Sequence, residues 1–247
     1  MLLNDVVAIG LLLLGAYVSA LAVLVWLRWG ERGRKERWED LILTFFGGAV
    51  VAVLIATVLE ISATALLVST IGREYDLFSK DPTLITFIVV IIIAPVVEEI
   101  SKALVVLRFS RYIWRPRNGL VFGAACGLGF AATENFLYEG TALFLEGFVA
   151  FVILAVIRSI SSGMMHASAT SISGYGIARA KTYDEHWWPY VVIAIGMHAS
   201  FNLFASFGDL FASRLGPGAS LFGFVFSLIL VTIAVSFLRR RISGYRA

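Results

Sequence analysis

Long apolar runs separated by short polar connections dominate the sequence, and seven of these runs are long enough to cross a membrane. A spanning helix needs about 20 mainly apolar residues. The predicted spans are residues 3–27, 41–69, 83–107, 119–138, 148–171, 189–212 and 219–238. The second run is long enough to tilt or protrude, and the fifth could continue to about Arg179. The pattern predicts an all-α, polytopic membrane helix bundle that forms a single domain, residues 1–247.

The Lys and Arg residues of the connections are distributed very unequally. Fifteen of the 20 lie in residues 28–40, 108–118 and 172–188 and in the carboxyl-terminal tail, which seven alternating crossings place on one side. The other side receives only Arg73, Lys80 and Arg214. Cytoplasmic loops of membrane proteins are enriched in Lys and Arg. We therefore expect a multi-pass protein of the plasma membrane, with its amino terminus outside and its carboxyl terminus in the cytoplasm.

The composition agrees with a membrane protein. Of the 247 residues, 59% are hydrophobic and 15% are charged, whereas soluble domains carry about a quarter charged residues. The sequence contains no nucleic-acid-binding motif, so we expect the lipid bilayer and no nucleic acid as its surroundings. Basic residues follow the first apolar run and none precedes it, which predicts a retained first helix and not a cleaved signal peptide.

Ionisable residues inside the predicted spans are the most informative feature of the sequence. Each costs roughly 2.5–3.5 kcal/mol on insertion scales, so such residues usually face a bundle interior or a water cavity and mark function. The stretch APVVEEISK places Glu98 and Glu99 among apolar residues, with Lys102 as the nearest charge. The next three spans contain Glu134, Arg158, His166 and His198. With a rise of about 1.5 Å per residue, the acids and both histidines share one layer if the fifth helix runs on to Arg179.

Two acids and two imidazoles at one depth suit hydrolysis, in one of two ways. In a zinc site, Glu134, His166 and His198 would be the ligands and Glu98 or Glu99 the base. Without metal, a Glu–His pair would activate water while His198 and Asn202 hold the oxyanion. The residues alone leave both open.

A structural role for the two acids is the simplest alternative. Lys102 follows Glu98 by four residues and shares its helical face, so the two could pair. Lys102 or Arg158 would then neutralise Glu98 and Glu99. One ion pair accounts for one carboxylate well and for two adjacent carboxylates poorly.

Taken together, four motifs resemble the PrsW family of membrane-embedded proteases, a distant relative of the CAAX prenyl endopeptidase group. The matching pieces are PVVEEISK (95–102), GLGFAATENFLYEG (127–140), RSISSGMMHA (158–167) and GMHASFN (196–202). They lie on four successive spans, and the resemblance covers roughly residues 80–205. The CAAX group usually has histidine where this chain has Glu134, so the match is closer to PrsW and a prenylated substrate is not expected.

This resemblance implies intramembrane or membrane-proximal proteolysis. Glu98, Glu99 and His166 match residues considered essential in the family, and Glu134, His198 and Asn202 lie in its other motifs. The best-known role in the family is cleavage of a transmembrane anti-sigma factor, so a single-span protein of that kind is one expected substrate. The family is often described as metalloproteases, whereas its CAAX relatives have been argued to work without metal, so zinc stays open.

Two other classes of function compete with proteolysis. An ion- or proton-coupled transporter could use the buried charges as a relay, but transporters more often have two related halves, and none is visible in this sequence. A non-catalytic membrane scaffold could retain the same polar residues for packing.

Overall fold

The computed structural model describes residues 5–31, 35–74 and 82–244. Outside these ranges lie residues 3 and 4 of the first predicted span, Lys80 and the last three residues of the tail. The side chain of Arg73 is also not described. The helices are Asp5–Leu12, Leu13–Val18 (π), Ser19–Trp29, Trp38–Phe46, Gly47–Ala52 (π), Val53–Glu74, Pro82–Ile88, Val89–Ile93 (π), Ala94–Phe109, Ser110–Tyr112 (3-10), Pro116–Leu145, Phe148–Ile160, Ser162–Tyr183, Trp188–Ala205, Phe207–Leu215 and Gly218–Ser243. Every regular secondary-structure element of the described ranges is a helix, as predicted.

The prediction of seven membrane-spanning helices is confirmed for the described part of the chain. From first to seventh, the spans are Asp5–Trp29, Trp38–Thr70, Leu84–Tyr112, Pro116–Leu145, Phe148–Tyr183, Trp188–Ala205 and Gly218–Ser243. The sixth span ends earlier than its apolar run suggests. Ser206 leaves the helical conformation (φ −91°, ψ 6°), and the short helix Phe207–Leu215 follows it.

The fifth span consists of two helical segments joined at Ser161. Ser161 has φ −107° and ψ −80°, which separates Phe148–Ile160 from Ser162–Tyr183. The second segment passes Arg179, so the longer of the two predicted lengths is correct. His166 therefore lies well inside this span, at the depth that a shared polar layer requires.

The fourth span lies at the centre of the bundle and is the most buried of the seven. Glycines allow its neighbours to approach closely. A Cβ atom on Gly127 would lie 2.3 Å from the carbonyl oxygen of His166, and one on Gly129 would lie 1.8 Å from that of Phe45. Only glycine tolerates such contacts between helix backbones. The glycines thus bring the helix of His166 directly against the helix of Glu134.

The basic connections meet at one end of the bundle, which we call the basic end. Arg239 on the seventh span donates to the carbonyl of Trp26 on the first (2.5 Å). Lys181 on the fifth span donates to the carbonyls of Ser110 (2.8 Å) and Ile113 (2.9 Å), at the carboxyl end of the third span. This agrees with alternating crossings. That the basic end faces the cytoplasm stays a prediction.

Two buried glutamates lie in the connection between the first and second spans. Glu31 and Glu36 are each only 4% exposed, and the side-chain amide of Asn118 donates to the Glu36 carboxylate. Burial, and to a lesser extent repulsion from Glu31, raises the pKa of Glu36 to about 7. Burial also raises the pKa of Glu31. The basic end therefore holds acids that resist ionisation.

The variant Glu36→Gln is expected to be more stable than the wild type at pH 8 and nearly equal to it at pH 5. The folded-state pKa of Glu36 lies above its ordinary value of 4.5. As pH rises from about 4.5 to 7 the unfolded chain ionises first, and the wild type loses up to about 3 kcal/mol of stability, a loss that persists above pH 7. Glutamine keeps the acceptor for Asn118 and removes the charge.

Melting temperatures in detergent at the two pH values measure this effect. The control is Glu39→Gln, which makes the same change at a surface residue paired with Arg37. Equal shifts of Glu36→Gln at pH 5 and pH 8 would contradict the assignment.

Candidate active site

Pro95 shapes the turn that precedes the two adjacent acids. The N–H of Ala94 bonds to the carbonyl of Val89, which is the wider register of a π-helical turn. The next bond in this register would run from residue 95 to the carbonyl of Val90, but proline has no N–H. The side-chain amide of Asn202 donates to that carbonyl instead (Nδ2–O 2.8 Å). A sixth-span side chain thus supplies the missing donor.

Lys102 is buried between the two acids. Its Nζ lies 3.1 Å from Glu98 Oε2 and 2.8 Å from Glu99 Oε1, because spacings of four and three residues place all three side chains on one helical face. The ring of Phe130 lies 4.0 Å from the same ammonium. One fully buried cation therefore serves two carboxylates, and the predicted Glu98–Lys102 pair is present.

His166 connects this ion pair to the fourth span. Lys102 donates to His166 Nδ1 (2.8 Å), which leaves the imidazole proton on Nε2. His166 Nε2 then donates to Glu134 Oε2 (2.9 Å). The same oxygen of Glu134 lies 3.0 Å from the guanidinium of Arg158. Arg158 is therefore the counter-ion of Glu134 and not of the adjacent acids.

His198 approaches from the sixth span. Its Nδ1 donates to Glu99 Oε1 (3.2 Å), and its ring centroid lies 4.7 Å from that of His166. Thr170 donates to the other oxygen, Glu99 Oε2 (3.0 Å). The sequence analysis missed Thr170, although its position four residues after His166 places it on the same helical face. Both oxygens of Glu99 are thus occupied by donors.

The structure brings five of the predicted residues into one network of contacts: Glu98, Glu99, Glu134, His166 and His198. Asn202 stands apart from it, against the carbonyl of Val90. Glu98 differs from Glu99 in two respects. It is 7% exposed, whereas Glu99 is 0% exposed, and its Oε1 accepts no hydrogen bond from the described residues. Glu98 therefore has the carboxylate oxygen that water can reach.

Three of these residues fit a metal ion. Ligand atoms of Glu98, His166 and His198 all lie within 4.8 Å of one another, and two imidazoles with one carboxylate form a common catalytic zinc set. Each imidazole also contacts a second carboxylate, Glu134 for His166 through Nε2 and Glu99 for His198 through Nδ1. Such second partners are usual for histidine ligands. The predicted ligand set has the same two histidines but contains Glu134 in place of Glu98.

Replacing Asn202 with alanine is expected to cost about 1–2 kcal/mol of stability, because the carbonyl of Val90 loses its donor. A donor to an oxyanion would behave differently, with a loss of about 10²–10³ in turnover and an unchanged melting temperature. Melting temperature and turnover of one preparation separate the two roles. Ser200→Ala is the control, since it removes a hydrogen bond confined to its own helix.

Comparisons with known proteins agree with the geometry. A family model described as PrsW family intramembrane metalloprotease matches residues 36–235. The chain is 31% identical over 99 residues to a protein named Protease PrsW from Shouchella clausii, a match that covers 38% of this chain and 42% of that relative. It is 25% identical over 200 residues to a Protease PrsW from Clostridioides difficile, with 77% of each covered. No solved structure matches.

Proposed function

Because this chain belongs to the PrsW family of intramembrane metalloproteases, we propose that it hydrolyses a peptide bond in, or next to, the transmembrane segment of another membrane protein. One observation carries the proposal. Two acids, two histidines and a lysine from three spans form a buried network in which Glu98 keeps an accessible carboxylate oxygen. Buried charges at membrane depth are expensive, so a cluster of this size indicates chemistry.

Glu98 is the acid–base residue of the proposed reaction. A water oxygen attacks the scissile carbonyl carbon, and Glu98 Oε1 accepts the proton that the water loses. When the C–N bond breaks, Glu98 returns this proton to the departing amine. The residue needs access to water and a free oxygen for both transfers, and it has both.

The other residues position the reacting groups. Glu99 is held by Lys102 and Thr170, and it orients the His198 ring by accepting the hydrogen bond from Nδ1. Nε2 of His198 is not used in this contact. Glu134 orients His166 in the same way through Nε2. Lys102 balances the charge of the adjacent acids, and His198 donates to the developing oxyanion.

Zinc fits the donor set, and Glu98, His166 and His198 would hold it. A bound zinc ion would polarise the scissile carbonyl and the attacking water. We further propose that the substrate is a single-span protein of the anti-sigma-factor type and that the protein lies in the plasma membrane with the basic end in the cytoplasm. The excess of Lys and Arg at that end supports this orientation.

The proposal is tested by comparing protein amino termini in membranes of cells that express the wild type or His166→Ala at equal levels. We expect new termini within or beside transmembrane segments that appear only with the wild type. Elemental analysis of both purified proteins measures zinc, which should approach one ion per chain in the wild type and fall in His166→Ala. Identical sets of termini in the two strains would refute the proposed activity.

A further inference from the structure

A cavity lies outside the active site, between the fifth, sixth and seventh spans. Its volume is about 660 Å³ and its lining is almost wholly apolar. Met165 and Met197 line it from the fifth and sixth spans, Leu230 and Phe237 from the seventh, and Arg241 is its one charged lining residue. We call it the lateral groove.

The lateral groove is separated from the active site by the two helices that carry the histidines. On the sixth span, Ile193, Met197 and Ser200 line the groove, whereas His198 faces Glu99. At 3.6 residues per turn these two faces point in nearly opposite directions. The fifth span has the same arrangement, with Met165 toward the groove and His166 toward the acids. A substrate segment in the groove would therefore not reach the acids.

The length of the groove matches an acyl chain of one leaflet. Leu230 and Arg241 are eleven residues apart on one helix, which is about 16 Å and close to half of the roughly 30 Å hydrocarbon core of a bilayer. The cavity has a volume of about 660 Å³ over this length. The groove accommodates lipid chains of one leaflet.

Arg241 places a positive charge at the mouth of the groove. It lies in the last turn of the seventh span, at the basic end, and its guanidinium lies over the ring of Phe237 (5.1 Å). Among the described residues no carboxylate pairs with it. Arginine binds phosphate in a bidentate manner, and basic residues at the cytoplasmic surface attract anionic lipids.

We propose that the lateral groove binds an anionic glycerophospholipid, with acyl chain along the apolar walls and phosphate on Arg241. The lipid contacts the backs of both helices that carry the histidines. Bound lipid therefore stabilises the pairing of the fifth and sixth spans, since a ligand of the folded state alone raises its stability.

The test measures lipid binding to the purified protein by native mass spectrometry, with palmitoyl-oleoyl phosphatidylglycerol and the matching phosphatidylcholine as probes. We expect the wild type to bind phosphatidylglycerol more tightly. Arg241→Gln should weaken that binding at least about fivefold, the effect of one basic residue near a membrane surface. Arg240→Gln is the matched control, because Arg240 is exposed and does not line the groove.

A second variant tests the acyl-chain part of the proposal. A Cβ atom on Gly196, which lines the groove, would meet no atom within 4 Å, so Gly196→Leu introduces a side chain into the groove without a clash at its Cβ. We expect it to lose most binding of both lipids. Equal affinity of the wild type for the two lipids, equal effects of the two arginine variants, or unchanged binding in Gly196→Leu each overturns the proposal. So does capture of a single-span protein by a photo-crosslinker at position 196.

Discussion

Replacing Glu98 with glutamine is expected to reduce peptide-bond cleavage by about 10²–10⁴-fold, the usual contribution of a general acid–base residue, while the protein stays folded. Glutamine has the shape of glutamate, and its amide oxygen can still accept the hydrogen bond from Lys102. It cannot accept a proton from water. If Glu98 also binds a metal, the amide is the weaker ligand, so both roles predict the same loss.

The control for this variant is Glu139→Gln. Glu139 is a fully buried glutamate of the fourth span, and neither of its carboxylate oxygens has a hydrogen-bond partner among the described residues. It takes no part in the network around Glu98. We expect Glu139→Gln to retain cleavage, measured as product fragments per enzyme under the same conditions. Parallel losses in the two variants would mean that Glu98 matters for folding and not for chemistry.

Melting temperature and size-exclusion profile complete the comparison. The active-site interpretation requires that Glu98→Gln melts within a few degrees of the wild type in detergent. Full cleavage by Glu98→Gln would show that Glu98 takes no part in the reaction. The acid–base role would then fall to Glu99, although both of its oxygens already accept hydrogen bonds.

The sequence predicts the number of spans well because each one is a local property. Twenty apolar residues in a row form a spanning helix whatever they pack against. The ends of the helices depend on less local features. The break at Ser161 and the early end of the sixth span at Ser206 follow from backbone conformations that no run of apolar letters encodes.

The sequence predicts which residues belong to the candidate site better than it predicts which of them contact each other. The cost of a charge in lipid marks Glu98, Glu99, Glu134, His166 and His198 from sequence alone. Their partners depend on helix rotation and packing distance. From the sequence, Arg158 could neutralise Glu98 or Glu99. In the structure it pairs with Glu134, because the glycines of the fourth span bring that helix against the fifth.

Asn202 has a hydrogen-bond partner in the structure that its motif does not indicate. The four-residue spacing from His198 places the two side chains on one face, which suggests a shared role at an oxyanion. In the structure the amide donates to the Val90 carbonyl and so compensates for the N–H that Pro95 lacks. This contact exists only because the third and sixth spans pack together. The oxyanion role of Asn202 stays a prediction that the alanine variant tests.

Replacing Lys102 with methionine is expected to destabilise the protein by about 3–5 kcal/mol, the usual cost of removing one partner from a buried ion pair. Methionine has a similar length and is apolar, so packing against Phe130 is largely kept. The adjacent carboxylates of Glu98 and Glu99 then face each other without a cation. The loss appears as a lower melting temperature of chelator-treated protein in detergent.

A double-mutant cycle with Glu99→Gln isolates the ionic part of this effect. If the ammonium stabilises through Glu99, the two losses are not additive, and the double variant is more stable than their sum predicts by about 0.5–3 kcal/mol. Lys181→Met is the comparison, because Lys181 donates only to neutral carbonyls. Additive losses would show that Lys102 acts through packing alone.

Zinc gives the same variant a second readout. Lys102 occupies Nδ1 of His166, a nitrogen that a metal ion between Glu98, His166 and His198 would require, so lysine and metal compete for it. Lys102→Met removes the competitor and the charge that repels a cation. We therefore expect this variant to bind zinc more tightly than the wild type, with added zinc restoring part of its lost stability, as measured by calorimetric titration and melting temperature. Unchanged affinity would place the metal away from Lys102 or exclude it from this set of residues.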